Sequence, residues 1–87
     1  NFTRAVAAEL AKYKITCNAI CPGYFETELT RDVLRTDSFK KYIEQTVSLK
    51  RHGNEGELNA AAIFLASDEA SYVTGAILPV DGGYTAI

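Results

Sequence analysis

Apolar positions at the start of the chain recur three and four residues apart. Phe2, Val6, Leu10 and Tyr13 share one stripe of NFTRAVAAELAKY, which predicts an amphipathic helix. Its alanines raise helix propensity, and Lys12 and Lys14 suit the negative end of its dipole. The period then changes. In KITCNAIC, Ile15, Cys17, Ala19 and Cys21 point one way and Thr16, Asn18 and Ile20 the other. Neither face is strongly polar, as in an interior strand of a parallel sheet covered on both sides. Pro22-Gly23 ends that strand, because proline cannot donate to a ladder and glycine permits backbone angles that other residues avoid. A charged helical insert follows, about residues 28–50. Leu29, Val33 and Leu34 form its first apolar set, and Thr36-Asp37-Ser38 breaks and recaps the helix. Phe39, Ile43 and Val47 form a second stripe with Tyr42 beside it.

The segment KRHGNEG reads as a loop. Asn54 then opens a helix, with Glu57 placed like the N3 residue of a capping box. Leu58, Ala61, Ala62 and Leu65 make its inner face, and Ile63, Phe64 and Ala66 widen that face. Such all-round apolarity predicts burial on more than one side. Thr74-Gly75 turns the chain into a last strand, AILPV, which Pro79 assigns to an edge. Asp81-Gly82-Gly83 ends it and reads as structural.

The order is helix, strand, helical insert, helix, strand. That alternation predicts an α/β fold: the C-terminal part of a Rossmann-like, doubly wound parallel sheet. Two strands cannot cover the apolar faces of these helices, and the chain contains 0 methionines. Residues 1–87 therefore read as the C-terminal segment of one larger domain. In such sheets ligands bind outside the carboxyl ends of the strands, and CPGYFETELT, starting at Cys21, lies at such an end.

Composition narrows the classes. A net charge of -2 and 47% hydrophobic residues suit a globular chain. No apolar run is long enough for a membrane span, and no signal peptide opens the chain. The mildly acidic balance carries no electrostatic footprint for nucleic acid. Cys17 and Cys21 lie about 13 Å apart along an extended strand, beyond the roughly 7 Å that a disulfide spans. They read as small buried apolar residues in a reducing, cytoplasmic setting. With His52 far from both and no CxxC spacing, no metal site is expected.

Several residues admit two readings. Pro22-Gly23 can simply end a strand or can shape a binding rim. Thr27 can cap a helix starting at Glu28, offer its hydroxyl to a ligand, or do both. Glu26 and Glu28 read as solvated first-turn acids, since a spacing of two does not converge on a helix. His52 reads as an exposed loop residue. Arg51 can cap the insert or bind a substrate carboxylate, the former being the plainer reading.

Four segments in order carry a resemblance: FTRAVAAEL, ITCNAICPGYFETELT, RHGNEGELNAAAIFLASDEASYVTG and LPVDGG. Together they resemble the C-terminal segment of the classical short-chain dehydrogenase/reductases, most like the gluconate 5-dehydrogenase or 3-oxoacyl-acyl-carrier-protein reductase members. The resemblance implies NAD or NADP as cofactor and a small carbonyl or alcohol substrate. It implies that Pro22 and Gly23 shape the nicotinamide pocket and that Tyr24 lines its mouth. It further implies that the backbone of Phe25 engages the carboxamide, and that the Thr27 hydroxyl bonds the carboxamide or a phosphate. Asn18 matches a structural asparagine. The family's Gly-rich fingerprint, catalytic serine and Tyr-xxx-Lys pair match no residues here, so the chain is expected to hold no catalytic residue and to be inactive alone. The insert is implied to cover substrate, and the whole protein to be a homo-oligomer, a dimer or tetramer. The alternative is a catalytically inactive, reductase-like assembly module, built on the apolar helix and the edge strand.

Overall fold

A computed structural model describes residues 1–86. It divides into two compact units: residues 1–21 with 59–78, and residues 22–58 with the chain from Pro79 onward.

In the first unit, α1 runs Phe2–Leu10 and tightens into a 3-10 turn over Ala11–Tyr13. Asn1 caps it, its side chain accepting the Arg4 N–H at 3.3 Å, which satisfies one orphan donor of the first turn. Lys14 ends it in the left-handed conformation, φ 61°. Of the α1 stripe predicted from sequence, Phe2 is 84% exposed, and the buried residue of this helix is Ala7. Helix α4, Asn59–Ala66, starts later than the predicted Asn54, after a turn through residues 55–58. It holds no buried residue, and Ile63 is 69% exposed. Ala61 and Leu65 of the predicted inner face are half-buried, and Ala62, Ile63, Phe64 and Ala66 are exposed, where burial was expected.

Strand β1 covers only Ala19–Pro22, shorter than the predicted 14–21, and pairs with β2, Ile77–Val80. The Ala19 N–H donates to Ala76 O at 2.9 Å and the Gly23 N–H to Val80 O at 3.0 Å. Donor and acceptor advance together along the two chains, so the pair is parallel, as the alternation predicted. Ahead of β1, side chains replace the ladder. The Cys17 N–H donates to Thr74 Oγ1 at 3.1 Å, and the Ala76 N–H to Asn18 Oδ1 at 3.0 Å. Asn18 Nδ2 in turn donates to Val73 O at 3.0 Å. Asn18 is therefore structural, locking the strand to the Thr74-Gly75 turn, where Gly75 takes φ +74°. Both cysteines are free; Cys17 is half-buried and Cys21 exposed, not buried as expected.

The second unit carries α2, Arg31–Leu34, and α3, Asp37–Thr46. The predicted break is real. The Thr36 hydroxyl donates to Val33 O at 2.8 Å, closing α2, and accepts the Phe39 N–H at 3.4 Å, opening α3. Leu34, Ile43 and Val47 are the buried core here, with Tyr24 and Phe39 packed on it. The second stripe thus faces inward, whereas Leu29 is 93% exposed and Val33 is exposed too. The chain closes with Asp81 gathering the turn after β2. Its Oδ1 accepts the Gly83 N–H at 3.0 Å, and its Oδ2 accepts the Thr85 N–H at 3.1 Å and the Thr85 hydroxyl at 2.7 Å. The Thr85 hydroxyl, with these backbone donors, holds the Asp81 carboxyl below its ordinary range.

Candidate functional site

Gly23 follows β1 directly. Its φ is not left-handed, so turn geometry is not what demands glycine. A Cβ built there would lie 2.7 Å from Asp81 Cβ and 2.8 Å from Asp81 Cα. Close backbone approach is what requires the missing side chain.

Two residues on, Phe25 forms an isolated parallel bridge with Gly53. The Gly53 N–H donates to Tyr24 O at 2.7 Å and the Glu26 N–H to Gly53 O at 2.9 Å. Bridge alternation therefore turns the N–H and C=O of Phe25 itself toward the opposite edge. That C=O accepts the Thr30 hydroxyl at 2.8 Å. The Phe25 N–H meets no acceptor among the described residues. The Phe25 ring lies where a Cβ at Gly53 would stand, so a side chain there would displace the ring.

Thr27 and Thr30 clasp each other. The Thr30 N–H donates to Thr27 Oγ1 at 3.2 Å, the Thr27 N–H to Thr30 Oγ1 at 2.9 Å, and the two hydroxyls lie 3.1 Å apart. The Thr30 proton is committed to Phe25 O, so Thr27 is the donor between the hydroxyls. Thr27 Oγ1 then accepts one N–H and retains one lone pair. Thr27 does act as a cap, but of the turn at residues 28–30; regular helix begins at Arg31, not at Glu28.

Pro22, Gly23, Tyr24, Phe25 and Thr27 all line one open concavity of about 490 Å³. Thr30 joins them, and Val33, Leu34, Phe39 and Leu58 supply the apolar remainder. A mostly apolar wall with a few aimed polar groups is the usual composition of a small-molecule site. Thr30 and Gly53 escaped the sequence reading. A Thr three residues after Thr27 was the available signal for the first; no local signal marks the second.

The charged neighbours are otherwise engaged. Glu26 is no free first-turn acid: Arg35 Nε and Nη2 each approach its Oε1 at 3.1 Å. Arg51 grips Glu57 with two bonds, 2.6 and 2.9 Å, so its fork is filled by an internal carboxylate. Glu57 also accepts the Asn54 N–H at 2.9 Å, the reciprocal half of the expected capping box. These donors, Arg51 foremost, pull the Glu57 carboxyl down to about 2, and the Glu57 carboxylate in turn raises Arg51. His52 is half-buried rather than exposed, with Nδ1 3.0 Å from Gly53 O. Among the described residues no cluster of His, Cys, Asp and Glu is placed to hold a metal ion. Nor is any helix long and apolar enough to cross a membrane.

The family described as enoyl-(acyl carrier protein) reductase matches residues 1–85. A galactitol 2-dehydrogenase (L-tagatose-forming) of Cereibacter sphaeroides is 51% identical over 84 residues, which are 95% of this chain and 33% of that protein. The crystal structure of a gluconate 5-dehydrogenase from Burkholderia cenocepacia, in complex with NADP and tartrate, superposes with a TM-score of 0.90 at 41% identity. The match covers 99% of this chain and 34% of that one. A 4-hydroxyisoleucine dehydrogenase complexed with NADH superposes with a TM-score of 0.92 at 32% identity, over 99% of this chain and 35% of that one. The parallel sheet with its helices is therefore the Rossmann-like architecture of these dehydrogenases, and the chain spans about a third of their length.

Proposed function

The chain belongs to the short-chain dehydrogenase/reductase family, and on that premise we propose that it is one segment of a single-domain NAD(P)-dependent oxidoreductase acting on a carbonyl or secondary alcohol. The observation that carries the proposal is the edge at Phe25. An N–H with no acceptor among the described residues stands beside a carbonyl and a threonine hydroxyl that each keep accepting capacity. A nicotinamide carboxamide presents one acceptor and two donor hydrogens, the complementary set. Phe25 N–H would donate to its oxygen, while Phe25 O and Thr27 Oγ1 would accept from its amide. Pro22, Gly23 and Tyr24 would form the wall of the same concavity.

When bound, the nicotinamide supplies hydride transfer. The part of this chain is to orient the ring end, exclude water with the apolar wall of Val33, Leu34 and Phe39, and cover the substrate with α2 and α3. The proton-relaying Tyr-xxx-Lys pair is proposed to lie outside these residues, since no tyrosine here has a lysine four positions on. The bare apolar surface of α4 supports assembly of the whole protein as a homo-oligomer, a dimer or tetramer. The free cysteines suit a reducing cytoplasm.

Thr27→Val in the intact protein tests the site. It removes the accepting hydroxyl at nearly constant volume, and the cofactor KM should rise, with turnover reduced. Unchanged values of both would remove Thr27 from the site.

A further inference from the structure

The C-terminal turn after β2 packs on Tyr24, one of the residues that line the concavity. Tyr84 stands edge-on to the Tyr24 ring, with centroids 5.6 Å apart and planes at 84°. Tyr24 is gripped similarly by Phe39 at 5.3 Å and Tyr42 at 6.0 Å, so three rings fix one. The Tyr84 and Tyr42 hydroxyls lie 3.1 Å apart, and the Tyr24 hydroxyl donates to that of Tyr42 at 3.5 Å. The Tyr42 bond raises the Tyr84 phenol above its ordinary range. The same turn is fastened to the end of α3. The Leu49 N–H donates to Gly82 O at 2.9 Å and the Ser48 hydroxyl to Gly83 O at 3.2 Å. Gly82 and Gly83 carry φ +63° and +93°, and a Cβ on either would strike Val47 or Ser48, at 2.9 and 2.6 Å. Gly82 and Gly83 thus lack side chains where the turn presses against the segment that follows α3.

We propose that Tyr84 is a positioning residue for the nucleotide site: its ring sets Tyr24 in the wall of the concavity, and its hydroxyl ties Tyr42 on α3 to the C-terminal turn. This rests on the cofactor reading above. Tyr84 touches no ligand in the proposal; it acts through Tyr24. An edge-to-face pair is worth about 0.5–1.5 kcal/mol, so losing it should weaken nucleotide binding about 2- to 10-fold.

The test is fluorescence titration of the full-length protein with NADPH and with NADH, beside its thermal midpoint. The variants are Tyr84→Phe, Tyr84→Ala and, should alanine fail to fold, Tyr84→Leu, which keeps much of the volume. Tyr84→Phe retains the ring and should bind within about 2-fold of wild type. Alanine or leucine should bind more weakly than phenylalanine by the factor given above. Melting at a lower temperature with wild-type affinity would mark Tyr84 as merely structural and overturn this inference alone, as would equal affinity of the phenylalanine and leucine variants. Wild-type protein that binds neither nucleotide would overturn the cofactor reading itself.

Discussion

Substituting Gly23 by alanine places one methyl group where the backbone leaves no room. The new carbon would lie 2.7 Å from Asp81 Cβ and 2.8 Å from its Cα. Ordinary carbon–carbon contact needs about 3.5–4.0 Å, so the two segments must part by roughly 1 Å. Neither can yield freely. The Gly23 N–H is bonded to Val80 O at 3.0 Å, and Asp81 is pinned through its carboxylate to Gly83 and Thr85. Forced overpacking of this kind costs about 1–3 kcal/mol. Equilibrium urea unfolding of the full-length protein reads that loss, and because Gly23 lines the concavity, NADPH affinity should fall with it. Gly75 is the control. There a Cβ has ordinary space, 3.7 Å from Ala7 Cβ, but φ is +74°. Alanine at 75 should cost about 1–2 kcal/mol through the backbone, with nucleotide affinity retained. Asparagine tolerates that conformation, so Gly75→Asn should recover stability lost by Gly75→Ala, whereas Gly23→Asn should be no better than Gly23→Ala. Wild-type stability of Gly23→Ala would refute the contact as the reason for glycine.

Two further outcomes follow from side-chain bonds. Asn18→Asp keeps an acceptor for the Ala76 N–H but sets a carboxylate oxygen against Val73 O, where Nδ2 now donates at 3.0 Å. It should cost about 1–3 kcal/mol by the same unfolding assay, and a neutral result would remove the structural role of Asn18. Glu57 has its folded pKa depressed from 4.5 to about 2. Its contribution is therefore fully present above the unfolded value and lost as pH falls through the folded one. The thermal midpoint of wild type should exceed that of Glu57→Gln at pH 6, and the gap should close between pH 4.5 and 2. The pair is half-exposed, so added salt should narrow the gap at any pH; a gap independent of pH would contradict the Arg51 pairing.

How far the sequence could be read depended on the range of the interaction concerned. The stripe Phe39, Ile43, Val47 and the Thr36 break are properties of neighbours along the chain, and the structure buries Ile43 and Val47 and caps at Thr36. The Asn54–Glu57 box is likewise local; its bond is present even though regular helix waits until Asn59. The strand at 14–21 was misread at its start because Cys17 and Asn18 trade ladder bonds for the side chains of Thr74 and of Asn18 itself. Such a substitution leaves the alternation of residue types untouched. Conformational freedom is the local reason for a glycine that ends a strand, whereas the demand at Gly23 comes from Asp81, far along the chain.

The same distinction bears on the site. A periodic apolar face says that something covers it without saying what, which is why α4 reads as buried and is largely exposed here. The candidate rim needs only a short run, since the accepting and donating atoms of Phe25, Thr27 and Thr30 lie within six residues. What holds that run in register is distant: Gly53 bridges Phe25, and Tyr84 braces Tyr24. The polar chemistry of the rim is thus local and readable, and its rigidity is tertiary. Substitutions at Gly53 or Tyr84 should therefore alter binding while leaving the sequence of the rim unchanged, an effect that no inspection of CPGYFETELT alone would anticipate.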